Sequence, residues 1–195
     1  MDRYHIALFL HIVAVIVASS ATAVTKLAAG RRARARTFRE AIDWHNVLSS
    51  TSKLFPVCLA IFVVTGSYML SFGQGHVWTS GYVVAGLVGV ALLLASGTFL
   101  GIKGKALGDV LEKMAGAKGA EQAPPPMVPP VLMIVLPVIN TGIALAVVFD
   151  MVTKPASVVV ALGIVAVGIA IPAAMVLRRR GGDAAPVRTS AARGR

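Results

Sequence analysis

Apolar residues fall into five blocks along this chain, separated by short polar, basic or proline-rich stretches. The blocks run about 6–27, 54–72, 81–102, 131–149 and 156–177. Each is close to the roughly 20 residues a helix needs to cross a hydrocarbon core. The pattern predicts an all-α, multi-pass transmembrane helical bundle of five spans over residues 1–177. A basic, small-residue tail over 178–195 is expected to be disordered.

The stretches between the blocks carry the local signals. After the first block, Arg31, Arg32, Arg34, Arg36 and Arg39 crowd into nine residues. Thr37 and Glu40 then have capping-box spacing, which predicts a helix start there. Phe38, Ala41, Ile42 and His45 follow at helical spacing, with Trp44 beside them. Two readings of this stretch stand: a short interfacial helix, or an early start to the second span. Pro56 falls in the first turn of that span, where a missing N–H costs little.

Gly97 and Gly101 form a GxxxG pair in the third block, the spacing that allows close helix approach. Beyond it, Leu107, Val110, Leu111 and Met114 share a face and predict a surface helix over 103–116, with Asp109 and Lys113 spaced as an i,i+4 ion pair. Residues 117–130 read as a linker, since Pro124, Pro125, Pro126, Pro129 and Pro130 oppose regular helix. The fourth block carries Pro137 and Asn140 at its middle, which predicts a kink. Residues 150–155 read as a turn. In the fifth block Ala166, Ala170 and Ala174 make a small-residue face, and Pro172 is expected to bend its end.

Charge orients this layout. The net charge is +11. An N-out, C-in arrangement places Lys26, the five loop arginines, Lys53, Lys103, Lys105, Lys113, Lys118 and the six tail arginines on one side, leaving only Arg3 and Lys154 on the other. That is the positive-inside pattern of a bacterial inner (plasma) membrane protein. It accounts for the basic balance without a nucleic-acid partner. The partners expected are the lipid bilayer and a membrane protein or a second copy. Asp2 and Arg3 before the first block, with the arginines after it, favour an N-out anchor over a cleaved leader. Composition agrees: 56% of residues are hydrophobic and 14% charged, against about a quarter charged in soluble domains. A single cysteine, Cys58, excludes an internal disulfide framework.

Chemistry has few places to sit. There is no GxGxxG after a strand, no HExxH and no P-loop, so no catalytic residue is assigned. No acidic residue lies near the centre of an expected span, which disfavours an ion-coupled transporter. His11, about five residues into the first span, is the candidate cofactor ligand, because imidazole binds haem iron or copper. His5, His11, His76, Met69 and Met151 are expected on one side of the membrane and form a candidate soft-metal set. The bland alternative is a neutral His11 hydrogen-bonded to a neighbouring helix, with the methionines as packing. Pro137 and Asn140 are the candidate broken-helix site of a small transporter, or Asn140 makes an interhelical hydrogen bond.

The stretches LFLHIVAVIVASS, LFPVCLAIFVVTGSYML and ALAVVFDMVTKP resemble a bacterial family of predicted integral membrane proteins of unknown function, over most of residues 4–160. More distantly, a first-span His and a Pro…Gly second span are similar to the copper-resistance D-type and HemJ-like membrane proteins. That similarity implies haem or copper handled in a small helical bundle, with His11 as the ligand. HemJ-like proteins are expected to carry further Lys and His in the third span, and residues 81–102 have neither. The expected role is therefore an integral membrane scaffold or accessory subunit. A haem- or copper-binding protein and a small transporter are the alternatives.

Overall fold

A computed structural model describes residues 2–72, 78–125 and 130–183, with side chains of the last helix described to 178. Six helices follow one another and no strand occurs among the described residues: α1 (Arg3–Ala33), α2 (Phe38–Ser52), α3 (Leu54–Phe72), α4 (Gly81–Lys118), α5 (Val131–Thr153) and α6 (Val158–Asp183). Five stretches are long and apolar enough to cross a membrane: α1, the α2–α3 pair, α4, α5 and α6.

Two packing units make up the molecule. In the first, α1 lies against α2 and α3. Ala7, Ala14, Ala21 and Ala28 are buried on α1 at a strict seven-residue spacing. His11, Ala18, Thr25 and Arg32, four residues after each, are half-buried. Steps of four and three keep all eight on one face. The methyl-sized side chains let backbones approach closely, which is what drives helix association where lipid is as apolar as leucine. Opposite them, α3 buries Cys58 and Thr65, also seven apart, and α2 buries His45, which meets Arg32. Phe9, Ile12, Ile16 and Leu27 point outward, so α1 is apolar all round, as a membrane span is.

The second unit joins the start of α4 to α5 and α6. Ala85, Ala146, Ala161 and Val165 form its core. Glycines let the backbones meet. A Cβ on Gly142 would overlap the Gly168 carbonyl, and one on Gly168 would crowd the Gly142 carbonyl and Ala146. Gly86 and Gly89 of α4 likewise receive Met151 and Val147 of α5. The small-residue face of α6 is thus Ala161, Val165 and Gly168. The expected face, Ala166, Ala170 and Ala174, is exposed. The α5–α6 crossing selects the other side of the helix because Gly142 stands opposite it.

α4 links the two units. It runs 38 residues without a break, so the expected third span and the expected surface helix are one rod. At about 1.5 Å per residue this is close to 57 Å, nearly twice a hydrocarbon core. Its far half packs on α2 through Leu111 and Ala115 against Phe38 and Ala41, with Leu107 and Met114 alongside. Val110 lies off that face and is exposed. Gly104 and Gly108 are buried within it. Asp109 and Lys113 are not among the ion pairs of the described residues; Arg39 and Glu121 pair instead, at 3.1 Å.

The start of α2 is held firmly. Thr37 Oγ1 accepts from the Glu40 amide at 3.2 Å, and Glu40 Oε2 accepts from the Arg36 amide at 2.9 Å, so the capping box forms one residue wider than its usual pattern. The Phe38 and Arg39 amides donate to the carbonyls of Gln122 and Ala120, at 2.9 and 3.0 Å. The chain after α4 therefore caps α2. α2 continues almost directly into α3, with Lys53 between them, so the stretch is both a separate helix and an early start to the span.

Two boundaries differ from expectation near the other end. α5 continues to Thr153 and stops at Lys154 in the left-handed conformation (φ 48°, ψ 54°), so Asp150 is helical and fully buried instead of standing in a turn. α6 carries on to Asp183, so the first six residues assigned to the tail are helical. The rest of the tail and the loop residues 73–77 lie outside the described residues.

Gly142→Ala and Gly168→Ala are each expected to destabilise the bundle by about 1–3 kcal/mol through overpacking. Gly97→Ala, where a Cβ meets open space, is expected not to destabilise it and to gain up to about 1 kcal/mol from helix propensity. Unfolding of the detergent-solubilised protein measures both.

Candidate functional site

The seam of α1 carries two polar clasps, one near each end. His11 and Arg32 are 21 residues apart, three heptads, and so lie on one face. Their separation along the axis is about 32 Å, close to a hydrocarbon thickness.

At the first clasp, His11 Nδ1 and Thr65 Oγ1 of α3 are 2.9 Å apart. Thr65 also donates its hydroxyl proton to the Ile61 carbonyl, one turn back. A hydroxyl has a single proton to give. Thr65 must therefore accept from His11, which places the imidazole proton on Nδ1 and leaves a lone pair on Nε2. The ring is tilted at 55° against Phe62, with centroids 5.2 Å apart. Gly66 leaves room beside its Cε1 edge. A fixed tautomer with Nε2 unprotonated is how ligating histidines are commonly oriented.

At the second clasp, Arg32 Nη1 donates to His45 Nδ1 at 3.2 Å. Arginine has no lone pair to offer, so His45 accepts on Nδ1 and carries its proton on Nε2. The imidazole sits on the backbone of α4 at Gly108, where any Cβ would collide with it. α2 carries Arg39, Glu40 and Asp43 and lies outside the apolar stretch of α3. Burial and then the Arg32 charge hold the His45 imidazole below its usual pKa, against the pull of Glu112 and Asp109 on α4. This clasp joins α1, α2 and α4 at one point.

The remaining candidates are scattered. His5 is exposed at the start of α1, 3.9 Å from Asp2. Met151 packs toward Gly86 in the second unit, on a different helix pair from His11. Met69 lies on α3, half-buried, one turn beyond Thr65. His76 lies outside the described residues. No group of three His, Cys, Asp or Glu gathers among the described residues. α5 runs unbroken through Pro137 and Asn140, and Thr141 caps the Pro137 carbonyl. Ser96 Oγ of α4 lies 2.8 Å from the Asn140 side-chain amide and 2.8 Å from its own Leu92 carbonyl, so one hydroxyl proton is shared between an interhelical and an intrahelical acceptor.

Sequence reasoning passed over Arg32–His45, Thr65, Asp150 and the alanine heptad. The heptad was open to inspection as an unbroken seven-residue period. Arg32 was hidden among other arginines, and only the tertiary contact singles it out.

Five spans' worth of apolar helix give the chain the build of a multi-pass membrane protein. Comparison with protein-family models, curated proteins and solved structures finds no match to it.

Because folded His45 resists protonation more than a solvated imidazole, its contribution to stability is complete above about pH 6.5 and is lost as pH falls through its lowered folded-state value. Thermal unfolding of wild type is therefore expected to lose ground on acidification, and His45→Gln is expected to lose less over the same range.

Proposed function

We propose that this chain is a structural or accessory subunit of a bacterial inner membrane, with its basic end in the cytoplasm. The expected partner is a membrane helix, from another protein or from a second copy. The observation that supports this is the uncovered Gly97–Gly101 face of α4. Gly97 and Gly101 form a GxxxG pair, yet both are exposed and nothing stands within 4 Å of where their Cβ atoms would be. Beside them, α3 and Leu94 of α4 border an apolar groove of about 400 Å³ lined by Pro56, Leu59, Ala60, Val63, Val64 and Leu94. Small residues on a membrane helix allow close approach of another helix. The shared end of α2, the far half of α4 and the arginine loop gathers basic residues as a cytoplasmic face does. Replacing Gly97 and Gly101 together by leucine is expected to reduce crosslinking to partners in native membranes at least tenfold without lowering the unfolding midpoint. Equal crosslinking in both proteins, or none in either, would remove this reading.

A second reading rests on His11. With Nδ1 tied to Thr65, Nε2 is free to ligate haem iron or Cu(I). On this reading, reconstitution with haem gives a Soret band in wild type that His11→Ala abolishes, and Thr65→Val weakens binding about 10–100-fold. Absence of the band in wild type, with no copper retained in a parallel Cu(I) loading, would dispose of it.

A further inference from the structure

Asp150 is the one buried side chain among the described residues whose polar atoms have no hydrogen-bond partner; both carboxyl oxygens are unsatisfied. It is fully buried. It sits one turn beyond Ala146, on the α5 face that also carries Ile143. That face meets the first turns of α4 and α6, through Ala85, Ala161 and Val165. The two helix starts are tied together there, since the Gly81 amide donates to the Ala156 carbonyl at 3.2 Å.

A carboxylate in such a place needs a donor or a cation. Removing one from water without either costs several kcal/mol. Among the described residues none is supplied in this packing, and the hydroxyls of Ser80, Tyr82 and Ser157 on the two helix starts do not bond to it. Tyr82 is the one titratable group in the first turns of α4, and α6 has none before Arg178. Lys154, four residues later in the left-handed conformation, is exposed. Neither residue bonds to the Asp150 carboxyl; the Lys154 amide donates only to the Asp150 backbone carbonyl, at 2.8 Å. The positive ends of α4 and α6 favour an anion by about 2 kcal/mol each at most, in good geometry. No amide of either helix donates to the carboxyl, so that limit is not approached. A metal ion would want several oxygen ligands. The core one turn away supplies alanine and valine side chains, and the Ala156 and Ser157 carbonyls at the junction already accept amide hydrogen bonds.

The smallest cation meets the need. We propose that Asp150 is a proton-binding site built into the α4–α5–α6 junction. The closed packing holds the carboxyl as its neutral acid. When the O–H bond breaks and the proton leaves to water, the carboxylate left behind must be hydrated, and this end of the junction opens to admit solvent. The nearby break at Lys154 ends α5 within one turn, so a short segment can move without unwinding the span. This site is independent of the partner surface on the middle of α4.

Infrared spectroscopy of the protein in liposomes reads the proton directly. At neutral pH the wild type is expected to show the carbonyl stretch of a protonated carboxylic acid. Carbon-13 labelling of aspartate side chains is expected to shift that band, and Asp150→Asn to remove it. The labelling arm stands even if the variant fails to fold. An ionised carboxyl at neutral pH, with or without added sodium, overturns the proposal, as does a band that aspartate labelling leaves in place. Hydrogen exchange of the 81–89 and 143–153 segments tests the opening. The wild-type rate divided by that of Asp150→Asn at the same pH cancels the intrinsic pH dependence. The ratio is expected to rise at least tenfold from mildly acidic to mildly alkaline pH, and a constant ratio overturns the coupling of proton release to opening.

Discussion

Close approach of helix backbones at alanine and glycine is the constraint on which this bundle depends. Between lipid-facing helices the hydrophobic effect contributes little, because the surrounding hydrocarbon is as apolar as the side chains. Packing and hydrogen bonds must hold the helices. An interhelical side-chain hydrogen bond in a membrane averages about 0.6 kcal/mol. Pairs such as His11–Thr65 and Ser96–Asn140 are therefore too weak to carry the structure. The alanine heptad of α1 and the Gly142–Gly168 crossing extend the dispersion contact and so do most of the holding.

The polar pairs have a different use. A seam of identical alanines tolerates sliding by one heptad, since every register buries the same methyl groups. His11 and Arg32 break that degeneracy, because each has one partner at one height, Thr65 and His45. They set register where alanine sets distance. Arg32–His45 also brings in α4 at Gly108, so the contact that aligns α1 with α2 fixes the rod that joins the two units.

That rod divides the labour between its ends. Its first turns belong to the unit with α5 and α6, and its far half belongs to α2. Between them Ser96 still reaches Asn140 of α5, while Gly97 and Gly101 are exposed and α3 stands across an apolar groove. A long helix anchored at both ends transmits displacement along its axis. The buried Asp150 lies against one anchor and the Arg32–His45 pair against the other, so ionisable groups sit at both places where α4 is held.

How much of this could be read from the chain varies with the range of the interaction. Span lengths follow from hydropathy, which is local, and α3 occupies the residues that the apolar block marked, Leu54–Phe72. The capping box at Thr37 is a contact across three residues and was open to reading for the same reason. Faces were not. α6 has small residues on more than one side, and its periodicity gives no reason to choose Ala161 and Gly168 over Ala166 and Ala170. Gly142, on another helix, makes the choice. Asp150 looks like a turn residue because it follows the fourth apolar block and precedes Lys154 and Pro155. One further helical turn and two neighbouring helices bury it. Sequence by itself determined which segments are apolar rods, because each residue's transfer free energy is its own; it left the helix ends open, and α4 runs on unbroken from Gly81 to Lys118. Tertiary structure alone decided which side of each rod is inside, because in an all-round apolar helix that depends on what stands opposite.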